Sequence, residues 1–191
     1  MTGSLTALAA ADSAAYLGDE RGTIVALPVY GSPSELSRSN LAQPTSVAAW
    51  GDRTALAAPG GVWLLEIDAV PRLFGTRTSV RDYRVDRIPL PDAVEPAVSF
   101  LDERTLAVWD RRGRGLRLYA LAPSGEALGY PDYRSAEGAL FGSPLLEVAP
   151  AGADALLTLE ADGTIQLIDR LSLARLYRYA APGTRAVAWL S

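Results

Sequence analysis

The chain alternates short apolar runs with short polar breaks along most of its length. The segment Leu145–Tyr179 shows this most clearly, because its apolar runs are separated by the turn-forming stretches Pro150–Asp154 and Glu160–Gly163. Runs of roughly 4–8 residues bounded by Gly, Asp or Pro are typical of short strands joined by hairpins. The pattern therefore predicts an all-β chain made of antiparallel meanders.

The same four-run unit occurs four times in the chain. Two kinds of turn position recur in the units, one acidic and one glycine. The acidic residues are about 40–52 residues apart, which is close to the period of propeller blades. Glycine suits tight hairpins because it reaches positive φ without steric cost. The acidic positions are Asp12, Asp52, Asp102 and Asp154, and the glycines are Gly22, Gly61, Gly115 and Gly163.

A single four-stranded unit cannot bury both of its faces and must stack on its neighbours. The period therefore predicts an all-β fold, a β-propeller of about four four-stranded antiparallel blades, in one unit spanning residues 1–191. The predicted blades cover approximately residues 5–42, 45–90, 96–135 and 145–180.

Residues 184–191 repeat the first apolar run of a blade, which predicts an extra C-terminal strand. Four blades and one further strand do not close a ring in the usual way, so we expect another chain to complete the propeller. Two alternatives stay open: a second copy giving about eight blades, or an N-terminal strand that joins the last blade and closes the ring within one chain. Val187 and Trp189 lie in this strand and are predicted to contact the partner.

Two kinds of segment resemble WD40 repeats. Asp162–Asp169 is similar to the third-strand segment of these repeats, and Thr45–Trp50 and Arg185–Trp189 are similar to their first-strand segment. The chain thus resembles a degenerate WD40-like or related bacterial propeller. The Gly-His pair of the family is absent, and Ile67-Asp68 and Ile168-Asp169 replace its closing Trp-Asp pair.

Composition narrows the possible chemistry. The chain has 191 residues, 49% of them hydrophobic, and contains neither His nor Cys. Without these residues, Ser-His-Asp and Cys-His mechanisms and thiolate metal sites are excluded. The acidic residues that could bind Ca²⁺ occupy ordinary turn positions, so we expect no catalytic residues, no cofactor and no metal.

Charge and hydropathy bear on partners and location. The net charge of −4 makes nucleic acid an unlikely partner. All the basic residues are Arg, a bias typical of a GC-rich bacterial genome. The N-terminus lacks a signal-peptide pattern, and no apolar run is long enough to span a membrane, which predicts a cytoplasmic protein.

Two further groups are candidate partner-binding residues. Arg111, Arg112 and Arg114 cluster in one hairpin and would bind an acidic partner, although a solvated turn is the ordinary alternative. Leu140 and Phe141 form an apolar loop that would serve as a docking anchor, the alternative being a loop packed over the central channel.

These observations favour a non-catalytic scaffold that mediates protein–protein contacts within a larger assembly. The alternative function is a propeller that binds a ligand or sugar in its central channel, or a hydrolase that uses carboxylates there. A channel lined by acids would support the alternative, and an apolar channel would count against it.

Overall fold

The computed structural model describes residues 5–11, 14–19, 23–28, 34–38, 43–51, 53–70, 79–123, 132–136 and 140–187. These ranges contain sixteen strands and no helix. The strands form four sheets of four strands each, and none of these sheets closes on itself. The prediction of an all-β chain with repeated four-stranded units is confirmed, whereas their arrangement as a propeller stays a prediction.

Sheet I is a meander of four strands in chain order, with antiparallel pairing throughout. Its central register places Leu8 opposite Leu17 and Leu17 opposite Val25. The fourth strand is short and polar, as edge strands often are, and it begins at Ser34. The strands are β1 (Leu5–Ala11), β2 (Ala14–Asp19), β3 (Thr23–Pro28) and β4 (Ser34–Arg38).

Sheet II has the same antiparallel order. Its second hairpin turns at Pro59 and Gly60, and Gly60 has a φ of 94°. The predicted turn residue, Gly61, is wrong by one position, because Gly61 pairs with Pro89 inside the ladder. The strands are β5 (Ser46–Trp50), β6 (Arg53–Ala58), β7 (Gly60–Val70) and β8 (Ser79–Leu90).

Sheet III runs in the order β12-β11-β10-β9, which is again a simple meander. Its last strand begins at Tyr133, near the end of the predicted blade at residues 96–135, and residues 124–131 lie outside the described ranges. The strands are β9 (Pro96–Asp102), β10 (Thr105–Asp110), β11 (Leu116–Ala120) and β12 (Tyr133–Ala136).

Sheet IV is formed by the clearest repeat of the sequence and is an antiparallel meander in chain order. Its strands match the predicted blade at residues 145–180 within a few residues. The glycine expected in its second hairpin, Gly163, has a φ of 83°. The corresponding Gly115 of sheet III is not among the residues with positive φ. The strands are β13 (Leu145–Pro150), β14 (Ala155–Glu160), β15 (Thr164–Asp169) and β16 (Arg175–Ala180).

The second strands of sheets II and III are buried on both faces. Successive residues point to opposite sides of a sheet, yet Ala55, Leu56 and Ala57 are all 0% exposed. Leu106 and Ala107 behave in the same way in β10. Residues from both faces of these two sheets therefore form the core, and this explains why the strands are apolar without alternation.

The chain divides into two compact units, residues 1–98 with 122–130 and residues 99–121 with 131–191. Within the first unit, β1 packs against β5, and within the second, β10 packs against β13. The prediction of a single propeller unit stays untested.

The predicted extra strand is not formed in its described part, residues 184–187. Val187 donates its backbone N–H to the Glu147 carboxylate at 3.0 Å and not to a neighbouring strand. Residues 188–191, including Trp189, lie outside the described ranges.

Candidate interaction surface

The two faces of sheet IV differ sharply in burial. Along β15, Thr164, Gln166 and Ile168 are buried, whereas Ile165 and Leu167 are partly exposed. Because strand residues alternate between faces, one face of this strand is covered and the other is partly exposed. Sheets II and III show no such alternation in their second strands.

The covered face of sheet IV carries an unusual number of polar side chains. Thr158, Glu160 and Gln166 are all 0% exposed, and Thr164 is 4% exposed. Buried polar groups are costly unless they are hydrogen-bonded, so the bonds on this face matter for stability.

Glu160 and Gln166 bind each other and the loop that precedes the sheet. The Gln166 amide donates to Glu160 Oε1 at 2.5 Å and to the Leu140 carbonyl at 3.1 Å. The second carboxylate oxygen of Glu160 accepts the Ser143 N–H at 2.8 Å. Arg175 completes the network by donating its Nε to Gln166 Oε1 at 2.6 Å. The network thus ties residues 140–143 to β14, β15 and β16.

The other face of sheet IV is apolar and only partly covered. The register places Leu157 opposite Leu167 and Leu167 opposite Tyr177, so these residues share one face. The edge strand β16 is exposed at every position, with Tyr177 at 63% and Tyr179 at 58%. We call the partly or fully exposed apolar residues of this side the open face of sheet IV: Leu157, Ile165, Leu167, Tyr177 and Tyr179.

The chain's own C-terminal segment reaches the first strand of this sheet. Glu147, which binds the Val187 N–H, pairs with Leu159 in the β13–β14 ladder. Leu159 is 0% exposed, whereas Leu157 and Leu167 on the same side are partly exposed. Val187 therefore lies beside β13, the first strand of this sheet.

The predicted arginine cluster lies in the turn between β10 and β11. Arg112 and Arg114 are exposed and Arg111 is partly exposed. The turn is formed by Asp110, whose side chain accepts the Arg112 N–H at 2.9 Å and whose carbonyl accepts the Gly113 N–H at 2.9 Å. The three arginines share this one turn, and their role in partner binding stays a prediction.

The apolar loop is packed into the fold. Phe141 is 1% exposed and Leu140 is partly exposed. Because the Leu140 carbonyl and the Ser143 N–H are held by Gln166 and Glu160, the loop is fixed and Phe141 serves as a core residue. This burial favours the alternative of a packed loop over an exposed docking anchor, and partner binding by Leu140 stays a prediction.

Three aspartates cap turns with hydrogen bonds that perturb their acidity. Burial raises the pKa of Asp102, but hydrogen bonds from Arg170 and the Arg104 N–H outweigh it, so the pKa lies below its usual 3.8. The hydroxyl and N–H of Ser172 lower the pKa of Asp169 in the same way.

The third aspartate, Asp162, caps the turn before β15. Its carboxylate accepts the Thr164 N–H at 2.8 Å, and this bond is the main reason that the pKa of Asp162 is lowered. All three carboxylates are engaged in turn formation. Within the described ranges, no group of three acidic residues is placed to hold a metal ion.

The sequence did not reveal the open face. An alternating strand predicts two faces but not which of them is buried, and the natural assumption puts Ile165 and Leu167 inside. The sequence signal for the covered face is the pair Glu160 and Gln166. A buried carboxylate requires a nearby donor, and the Gln166 amide, six residues later, supplies one. Tyr133 lies on β12, and Tyr177 and Tyr179 lie on β16, the outer strands of their sheets.

The fold and this surface define an all-β protein of repeated, open four-stranded sheets. No family model matches the chain, and no curated protein matches it either. Among solved structures, it is similar to the crystal structure of the computationally designed Ika4 protein, with a TM-score of 0.60 and 14% identity. The alignment covers 88% of this chain and 92% of that chain. At this level of identity the likeness concerns the fold alone.

No helix in the described ranges is long and apolar enough to cross a membrane.

Proposed function

We propose that this chain is a non-catalytic β-propeller scaffold that uses its sheets as blades and holds another protein chain within a larger assembly. The observation that carries the proposal is the distribution of side chains on sheet IV. Its covered face holds Glu160 and Gln166, and its open face holds Leu167 and Tyr177.

A partner bound to the open face of sheet IV would remove its apolar side chains from water. Burying apolar surface favours association, and contiguous apolar patches on a protein surface mark interaction sites. Tyr177 and Tyr179 also fit this role, because tyrosine supplies a large contact area and a hydroxyl that can remain hydrated. Sheet stacking of this kind is the packing that propeller blades use.

The test is native mass spectrometry of the protein purified from its own cells. We expect a mass greater than that of one chain, and we expect Tyr177→Glu to release the additional chain. Leu171→Glu is the matched control, because Leu171 is 80% exposed in the turn between β15 and β16, outside the open face.

Two results would overturn the proposal. One is a single-chain mass for the unmodified protein, and the other is an assembly that Tyr177→Glu leaves intact. Electron microscopy of the purified assembly tests the propeller itself, which requires the sheets to be arranged around a common axis.

A further inference from the structure

The turn between β14 and β15 contains the single Asp-Gly pair of the chain, Asp162-Gly163. An Asp-Gly bond can rearrange spontaneously, because glycine has no side chain to shield its backbone nitrogen from the preceding carboxyl group. Asp162 is exposed to solvent, so exposure alone would make this pair reactive. The hydrogen bonds of the turn decide whether the reacting groups can meet.

The rearrangement passes through a cyclic imide and needs no cofactor. The Gly163 nitrogen attacks the side-chain carboxyl carbon of Asp162, a C–N bond forms, and the proton of the nitrogen leaves with the carboxyl hydroxyl as water. Water then adds to one of the two imide carbonyls and breaks its bond to nitrogen. Breaking one of these bonds restores aspartate, and breaking the other leaves isoaspartate, whose main chain runs through the side-chain carbons.

The folded turn engages both reacting groups. The Gly163 N–H donates to the Glu160 carbonyl at 2.9 Å. The Asp162 carboxylate accepts the Thr164 N–H at 2.8 Å, and the Asp162 N–H donates to the Ser143 hydroxyl at 3.2 Å. The Thr164 N–H also holds the pKa of Asp162 below its usual 3.8, so the protonated carboxyl group that releases water is scarce.

We propose that Asp162-Gly163 is a covalent modification site that the fold closes and unfolding opens. The pair forms isoaspartate when the β14–β15 hairpin opens, and the modified chain is excluded from the fold. This hairpin is the centre of sheet IV, with β13 and β16 on either side, so the rate of modification follows the population of chains in which the sheet has opened. The site is independent of the proposed scaffold function.

Isoaspartate does not fit the folded turn. It lengthens the main chain where a carbon added to Gly163 would lie 2.6 Å from the Ala181 carbonyl oxygen and 2.9 Å from Pro182 Cα. It also moves the carboxylate that accepts the Thr164 N–H. A chain that is modified while unfolded therefore cannot restore the hairpin.

The first experiment incubates the full chain at neutral pH in buffer and in guanidinium chloride. Trypsin then releases residues 135–170 as one peptide, because no basic residue lies between Arg134 and Arg170. Electron-transfer fragmentation distinguishes isoaspartate from aspartate at position 162. We expect isoaspartate to form at least about tenfold more slowly in buffer, because only the opened fraction of the chains reacts. Equal rates in the two solutions would overturn the proposal.

The same peptide carries its own control. Asp154 is followed by Ala155, whose side chain shields its nitrogen, so we expect little isoaspartate at Asp154 in either solution. If Asp162 formed no more isoaspartate than Asp154 in guanidinium chloride, the pair would not be a modification site and the proposal would be wrong.

Asp162→Asn reports on the same site through the mass of the whole chain. Asparagine keeps a side-chain oxygen that can accept the Thr164 N–H. Attack by the Gly163 nitrogen then releases ammonia, and hydrolysis of the imide leaves an acid in place of the amide. We expect this change of mass to be slow in buffer and fast in guanidinium chloride.

Substitutions in sheet IV test whether opening controls the reaction. Gln166→Leu, added to Asp162→Asn, removes the donor to the buried Glu160 Oε1, so we expect it to speed the change of mass in buffer. Thr158→Val is the matched control and should not speed it, because the Thr158 hydroxyl has no partner among the described residues. The same rate in both proteins would contradict control by hairpin opening.

Refolding tests the exclusion of the modified chain. The unmodified protein is aged in guanidinium chloride and returned to buffer, and size-exclusion chromatography separates the folded chains from the rest. We expect the folded fraction to contain much less isoaspartate at position 162 than the remaining fraction. Equal contents in the two fractions would show that the hairpin accepts isoaspartate and would overturn the proposed exclusion.

Discussion

Gly163 shows how strictly one backbone position can be constrained. It occupies the turn between β14 and β15 with a φ of 83°, and an added Cβ would lie 2.6 Å from the Ala181 carbonyl oxygen. Its own carbonyl accepts the Ala181 N–H at 2.9 Å, so the chain that leaves β16 lies directly against this turn. Only glycine combines that φ with that close approach.

We expect Gly163→Ala to lower the free energy of unfolding by roughly 2–3 kcal/mol, since a non-glycine residue at such a φ costs about 1–3 kcal/mol before the clash is added. Gly115→Ala is the matched control, because no heavy atom lies within 4 Å of its added Cβ. Urea denaturation of both variants measures the difference. Equal effects would show that Gly163 is not under this constraint.

Asp102 contacts Arg170 and so links the turn between β9 and β10 to the turn between β15 and β16. We expect Asp102→Asn to lower the free energy of unfolding at pH 7 by roughly 1 kcal/mol, a value limited by solvent screening of a partly exposed pair. Glu103→Gln is the control, since Glu103 and Arg104 are 72% and 64% exposed. The prediction is wrong if the two variants unfold at the same urea concentration.

The pH dependence of stability follows from the same carboxylates. The pKa of Asp102 is lowered in the folded state, so its contribution is complete well above 3.8 and is lost as the pH falls through the lower folded value. Asp162 and Asp169 act in the same direction. We therefore expect thermal stability to fall below about pH 4, with a shallower fall in Asp102→Asn, as measured by calorimetry between pH 7 and pH 2.5.

At the scale of strands and sheets, the sequence predicted most elements because apolar runs and turn residues are local signals. The end of β13, both ends of β14 and the start of β15 follow within one residue from the breaks at Pro150–Asp154 and Glu160–Gly163. The second hairpin of sheet II was misplaced by one residue because Gly60 and Gly61 are equally suited to a turn. Which of the two glycines forms the turn depends on the register between β7 and β8. That register is set by residues far apart in the sequence.

Which face of a sheet is buried was beyond the sequence for a similar reason. In β15 the buried residue is Gln166 and the partly exposed residue is Leu167, the reverse of what transfer free energies alone predict. The reversal depends on donors and acceptors in the Leu140–Ser143 loop, far away along the chain.

The network on the covered face of sheet IV can be tested against a neighbouring residue. We expect Gln166→Leu to lower the free energy of unfolding by roughly 1–3 kcal/mol, because it removes the donor to the buried Glu160 Oε1 and the acceptor of the Arg175 Nε. It should also make the loop more sensitive to proteolysis. Thr158→Val is the control, since the buried Thr158 hydroxyl has no partner among the described residues and its removal should be neutral or stabilising.

Chemical denaturation with limited proteolysis measures both effects. A loss of stability in Thr158→Val as large as in Gln166→Leu would mean that packing volume, and not hydrogen bonding, governs this face.

For the whole molecule, stability should depend on association. A partner that binds only the folded state raises the unfolding temperature by mass action, and the rise grows with concentration. We expect the midpoint of thermal unfolding of the unmodified chain to increase over a hundredfold range of protein concentration. Tyr177→Glu should show a constant midpoint, measured by differential scanning fluorimetry, and a constant midpoint in both proteins would contradict self-association.

The open face of sheet IV has one more consequence if it binds a different face and not itself. Contacts between unlike faces close into a ring only when the rotation between copies is right, and otherwise they repeat without limit. A small change in the angle between neighbouring sheets would convert a closed pair into a growing filament. Substitutions far from Tyr177, in the turns that set such angles, would then change the number of chains in the assembly without altering the residues that form its contacts.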